Sequence, residues 1–320
     1  MQKSGLFHGP DLDGKSDKGV TWELRQREKD FLMPFPASRV GLDLDRVETD
    51  LSTRRILAYA AGLGARDDVF LDDAREGGLE ALPFQCVSPE WPVILSMRRW
   101  LEDALSPEEA QRGVHAVQDS TFHRAMRPGD RLLTAGRLVS ATPIRSGVLT
   151  VCRLETTDRL TGEPVTTTWT SSIYRDVDLD GEGATLEAPP VLSEAETRPL
   201  GPDARSTRIA IPREMPHVYS ECARIWNPIH TERAVALASG LPDIILHGTA
   251  TWALAGLTLL RAQAKPGRAR LKRMTGRFSG MIIPGETITV RQDEGSDGSL
   301  RFDVRSASGG PAITQGVAWF

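Results

Sequence analysis

Cysteine is scarce in this chain of 320 residues: there are three, Cys86, Cys152 and Cys222, and no pair has Cys-x-x-Cys spacing. No disulfide framework is implied, and reduced thiols in a cytoplasmic setting are the expectation. Long apolar runs are also missing. The stretch from Ile244 to Leu260 is broken by His247, Gly248 and three threonines. It falls short of the roughly 20 apolar residues that span a bilayer, so it reads as a buried helix and no membrane is expected as a partner. Residues Met1 to Lys18 lack the apolar core of about 7 to 15 residues that a secretory signal needs, and they read as a flexible leader that does not direct export. Neither sign of charge dominates, with 39 Lys and Arg against 43 Asp and Glu. Nothing in that balance attracts a phosphate backbone, so no nucleic acid is expected. His8, His115, His123 and His217 show no HxxxH or HxxEH spacing, so no metal site is indicated.

What is present fits a globular protein with a sizeable core, since 40% of the residues are apolar and 26% charged. The length suggests two domains. Leu51 to Gly62 has Ser52 or Thr53 as a cap, apolar residues at helical spacing and a closing glycine, which predicts a helix. Arg131–Val139, Val148–Asp158 and Val165–Arg175 are rich in β-branched residues and read as an antiparallel meander, with a turn at Thr161-Gly162-Glu163. An acidic, Pro- and Gly-containing stretch, 176–205, reads as a linker. After it the order repeats. Helices are expected at Tyr219–Ile225, Thr231–Ser239 and Thr249–Ala264, then strands at Arg270–Phe278, Glu286–Gln292, Leu300–Ser306 and Ala312–Phe320. Pro128-Gly129-Asp130 and Pro284-Gly285-Glu286 enter strands at matching places, which points to duplication of one fold. The organisation expected is an N-terminal extension over 1–45, a first unit over 46–175, the linker, and a second unit over 206–320.

The run Tyr219-Ser220-Glu221-Cys222-Ala223-Arg224-Ile225-Trp226-Asn227-Pro228-Ile229-His230, followed by Gly240-Leu241-Pro242-Asp243-Ile244-Ile245-Leu246-His247-Gly248, resembles the MaoC-like (R)-specific enoyl-thioester hydratase family. The resemblance implies an α+β double hotdog, two fused antiparallel sheets each wrapped on a helix, with the working site in the second half. It implies a hydro-lyase acting on an acyl-CoA or acyl-carrier-protein thioester without a cofactor, as a monomer of two hotdogs or a homo-oligomer. By the same resemblance His230 is the acid/base residue, an imidazole whose pKa near neutrality suits proton transfer at physiological pH. Asn227 and Pro228 shape the turn that presents it, and Gly248 offers its backbone N–H to the thioester oxygen. His247, also at the substrate, positions that glycine, with direct catalysis as the other reading. Arg224 suits a substrate carboxylate or phosphate, or a surface ion pair, and Trp226 and Trp252 suit an acyl pocket or the core. The basic run Arg268–Arg273 reads as a solvated loop or helix end, with coenzyme A phosphates as the other reading.

One position departs from the pattern. The family's aspartate stands two residues before the asparagine, where this chain has Ile225, which can neither take nor give a proton. Three explanations stay open. Another carboxylate replaces it, with Glu221 one helical turn earlier as the first choice and Asp243 and Glu232 behind it. Alternatively His230 works alone, allowing elimination or double-bond isomerisation, or the pocket only binds and shapes a substrate, as in a cyclisation. The first half has no Asn-Pro-x-His run and resembles the degenerate half of such an enzyme. Residues 84–100, with Pro89, Trp91 and Pro92, are its expected tunnel lining.

Overall fold

The computed structural model describes residues 34–102, 104–106, 109–110, 112–263, 270–295 and 297–320. The leader expected over the first residues, the charged segment Val20 to Leu32, Ala264, and Arg268 and Ala269 of the basic run lie outside the described residues.

Ten strands follow one path through an 11-stranded sheet. The first half supplies β1 (Val47–Asp50), β2 (Gly113–Phe122), β3 (Arg131–Ile144), β4 (Gly147–Asp158) and β5 (Pro164–Arg175). The second supplies β6 (Arg205–Ala210), β7 (Arg273–Phe278), β8 (Thr287–Glu294), β9 (Leu300–Arg305) and β10 (Pro311–Trp319). Their spatial order is β1-β3-β4-β5-β2-β7-β10-β9-β8-β6. Read outward from the seam between β2 and β7, the two halves have the same order. The seam is antiparallel, with Ser120 opposite Met274 and Gln118 opposite Gly276. Asp119 and Arg273 cross it with two bonds of 2.8 and 2.6 Å, and the guanidinium also lies 4.4 Å from the Trp319 ring.

The two Pro-Gly-acid turns repeat bond for bond. Gly129 donates its N–H to Leu51 O and Leu51 donates to Asp130 O, as Gly285 donates to Ile211 O and Ile211 to Glu286 O. In each turn the acid side chain accepts the N–H three residues back, from Arg127 at 2.9 Å and from Ile283 at 3.0 Å. Both glycines have positive φ, +91° and +96°, which only glycine adopts without strain.

Five helices matter for the site. They are α1 (Thr53–Gly62), α2 (Val87–Arg99), α3 (Met215–Ala223), α4 (Arg233–Ala238) and α5 (Gly248–Ala262). Ser52 is the α1 cap, its side chain accepting from Arg55 N at 3.3 Å. Ile56, Tyr59 and Ala60 give α1 one buried face, which meets α3. Helix α2 is not legible as a helix from its residues, because Pro89 and Pro92 interrupt the pattern. Pro89 falls in the first turn, where an N–H has no helical acceptor in any case, so it is tolerated. Helix α5 is buried on nearly every side. At Gly256 an added Cβ would stand 2.1 Å from the Phe84 ring, so the glycine is what lets the first half press onto this helix. Phe84 and Trp252 meet edge to face at 5.3 Å in one core shared by both halves.

The segment expected to be a linker is pinned along its length. Leu179–Asp180 pairs with Phe35–Pro36, Ala184–Thr185 adds to β3, and Ser193 caps a short helix, Glu194–Thr197, with a reciprocal bond from Glu196. No helix among the described residues is long and apolar enough to cross a membrane.

Candidate active site

The chain leaves α3 through Arg224, which has a left-handed backbone (φ 56°, ψ 40°). Asn227 is extended, and Pro228–His230 form one turn of 3-10 helix closed by a bond from His230 N to Asn227 O. Proline suits this first position because its fixed φ is helical and its missing N–H has no partner to lose. The turn carries the His230 imidazole to the start of α5, where it stacks on the His247 ring at 3.7 Å and 25°.

The hydrogen bonds settle both tautomers, since a carbonyl can only accept. His230 Nδ1 lies 2.8 Å from Ile245 O and therefore carries the hydrogen, leaving Nε2 with its lone pair. His247 Nε2 lies 3.3 Å from Ile225 O and 3.1 Å from Ser220 Oγ, so it carries the hydrogen and Nδ1 is the lone-pair nitrogen, buried and without a partner among the described residues. Burial pushes His230 down to about 4, against a smaller upward pull from the bond to Ile245 O. Burial, with His230 close by, holds His247 well below its ordinary value. This corrects the expectation of a near-neutral imidazole: both rings are uncharged at neutral pH because charging either would strip an ion of water.

Gly248 and Thr249 begin α5, and neither backbone N–H has an acceptor among the described residues, as the geometry of a helix start requires. Gly248 sits against Phe278, whose ring an added Cβ would meet at 3.1 Å. The next ring outward is His115 of β2, 4.5 Å from Phe278, so the first half stands one side chain from the site. His115 is likewise held down to about 4 by burial, with Nε2 near Val117 O and Thr170 Oγ1. No short-range spacing marks His115 for this place, because only the seam brings it there.

The carboxylates stand elsewhere. Glu221 is exposed and accepts a bond from Trp226 Nε1 at 3.2 Å. The expected helical relation to position 225 fails because α3 ends at Ala223 and Arg224 turns the chain, so residues 221 and 225 do not share a face. Asp243 pairs with Arg233 at 3.2 Å and accepts from Ile244 N. Glu232 is exposed. Among the described residues none of the three contacts either imidazole. Ile225 is 4% exposed, its side chain in the core and only its carbonyl facing the site. Arg224 and Trp226 are exposed, Asn227 is half-buried, and Trp252 is wholly in the core. No group of three or more His, Cys, Asp or Glu among the described residues could hold a metal ion.

Two clefts, of about 420 and about 870 Å³, open beside the far part of α5, and neither is lined by His230, His247 or Gly248. Residues 84–100 line neither of them. Phe84 and Pro89 are buried in the core, while Trp91 and Pro92, also expected as tunnel lining, are half-buried.

Comparison with known proteins agrees with this architecture. The MaoC-like domain matches residues 207–308, and the FAS1-like dehydratase domain region matches residues 38–168. The peroxisomal multifunctional enzyme type 2 of Drosophila melanogaster is 25% identical over 248 residues, 75% of this chain but 41% of that protein, so the chain spans less than half of this relative. The 3-hydroxyacyl-thioester dehydratase Y of Mycobacterium tuberculosis is 24% identical over 287 residues, 88% of this chain and 95% of that protein. The crystal structure of a MaoC-like dehydratase from Phytophthora capsici superposes with a TM-score of 0.74 at 21% identity, covering 88% of this chain and 98% of that one. With a FAS1-like dehydratase region in its first hotdog and a MaoC-like domain in its second, this chain belongs to the MaoC-like dehydratase family.

Proposed function

We propose that the chain is an acyl-thioester hydratase or dehydratase in which His230 moves the proton and the Gly248 N–H receives the thioester oxygen. The observation that carries the reading is the tautomer of His230: with Nδ1–H held by Ile245 O, Nε2 is an uncharged base beside the free amides of a helix start. In dehydration, Nε2 takes the α proton of a 3-hydroxyacyl thioester and the electron pair of that C–H bond spreads onto the carbonyl oxygen. The charge is met by the Gly248 N–H and the positive end of α5. The C–O bond at the β carbon then breaks, and the proton on Nε2 leaves with the hydroxide as water. Hydration is the same path reversed. One base serves both transfers, and no carboxylate is required in the place of Ile225. The 3-hydroxyacyl-thioester dehydratase relative, similar over nearly its whole length, supports the substrate class.

A second reading is a cyclase, an isomerase or a thioester-binding protein without turnover. Ile225 favours it, since among the described residues no carboxylate is hydrogen-bonded to either imidazole. The test is to incubate the full chain with crotonyl and longer 2-enoyl thioesters and follow loss of the enoyl absorbance. Turnover that falls at least a hundredfold in His230→Ala supports the first reading. Absence of turnover in the wild type leaves the second reading, and a fully active His230→Ala removes His230 from the chemistry.

A further inference from the structure

Thr249 follows Gly248 in the first turn of α5 and is half-buried. Its hydroxyl ends a row of three, of which only the last two share a hydrogen. Tyr59 Oη donates to Phe84 O at 2.8 Å and lies 3.5 Å from Tyr219 Oη. Tyr219 Oη donates to Thr249 Oγ1 at 3.1 Å. Each phenol has one hydrogen. Tyr59 has given its own to a carbonyl and Tyr219 has given its own to Thr249, so the hydrogen of Thr249 has no acceptor among the described residues. Burial pushes the Tyr219 phenol up to about 12 and the Tyr59 phenol well above its ordinary value, so neither phenol loses its proton near neutrality. The row also adjoins the imidazoles, because the Tyr219 ring lies 5.0 Å from the His247 ring that stacks on His230.

We propose that the Thr249 hydroxyl is a second donor to the thioester oxygen, beside the Gly248 N–H, and that Tyr219 positions it. This rests on the thioester reading above. Thr249 forms no covalent bond; its O–H bond to the oxygen shortens as enolate charge develops and relaxes as water leaves. Accepting from Tyr219 polarises that O–H and makes it the better donor. Tyr59 belongs to the half without an Asn-Pro-x-His run; with its hydrogen on Phe84 O it packs behind Tyr219 without donating to it.

Thr249→Val keeps the shape and removes the hydroxyl, Thr249→Ser keeps the hydroxyl, and Tyr219→Phe removes only the bond behind it. In the full chain, Thr249→Val is expected to lower kcat by about 10²-fold with KM within about threefold, the scale for losing one such donor. Thr249→Ser recovers most of that loss, and Tyr219→Phe falls between. A role in folding alone is separated by a bound chromophore. A cinnamoyl thioester, held without turnover on His230→Ala, has an absorption band that moves to the red when its carbonyl accepts hydrogen bonds. The shift should shrink with Thr249→Val and return with Thr249→Ser. Wild-type turnover with an unaffected Thr249→Val, or an unchanged red shift whatever the rate, overturns the role of Thr249 alone. A wild type that neither binds nor converts enoyl thioesters overturns the thioester reading and this inference with it.

Discussion

The depressed pKa of His230 makes a prediction that separates this site from one built on an ordinary histidine. A solvated imidazole titrates near 6.5, so a base of that kind would be about 90% protonated, and its enzyme correspondingly slow, at pH 5.5. With burial holding His230 down to about 4, roughly 97% of the rings are still free to accept a proton at pH 5.5. The acid limb of kcat/KM should therefore fall near pH 4 and not between pH 6 and 7. Stability moves first. A histidine buried as the neutral ring lets the unfolded chain bind protons before the native one, so stability declines as pH falls from about 6.5 and stops declining below the folded pKa. His115 and His230, both at about 4, and His247, held well below its ordinary value by burial and by His230, all act in this direction. The slope is at most about 1.4 kcal/mol per pH unit for each ring. Activity profiles between pH 3.5 and 8 paired with urea denaturation at each pH measure both. An acid limb at 6 to 7 in protein that remains folded there would refute the reasoning, because it would show His230 to be solvated.

Two substitutions probe other statements. Glu221→Gln should leave kcat/KM within about twofold of wild type, since the carboxylate is exposed and bonded to Trp226; a loss of tenfold or more in the steady-state assay would return Glu221 to the site. Gly256→Ala places a methyl group inside the Phe84 ring and should destabilise by about 1–3 kcal/mol. A denaturation midpoint equal to wild type would mean that the two halves are not packed as tightly as the ring contact implies.

Much of the sheet was legible because its strands obey local rules. β3, β4 and β5 carry β-branched residues between clear turns, and β8, β9 and β10 follow the same grammar. Strand β2 hid for the opposite reason: Gln118, Asp119 and Ser120 are polar yet buried, each satisfied by a partner distant in sequence, such as Arg273 for Asp119. Edge strands β1 and β6 are short and mostly exposed, with little apolar alternation to betray them. The place of the candidate site was visible in Asn227-Pro228-Ile229-His230 and His247-Gly248, because the turn and the helix start are local constructions. Glu221 lies off the expected face since the end of α3 depends on a backbone reversal at Arg224 that no side-chain pattern announces. His115, Tyr59 and Phe84 approach only after the halves join.

The seam between β2 and β7 has a consequence for how the protein can be divided. Each of those strands has neighbours on both sides only because the other half is present. Cut between the halves, a fragment would present one of them as a bare, pairing-competent edge, with Asp119 or Arg273 stripped of its counter-charge, and such edges recruit other chains. In the intact polypeptide the edge finds its mate by folding, so the surroundings of His230 assemble at any dilution, without a search for a second molecule.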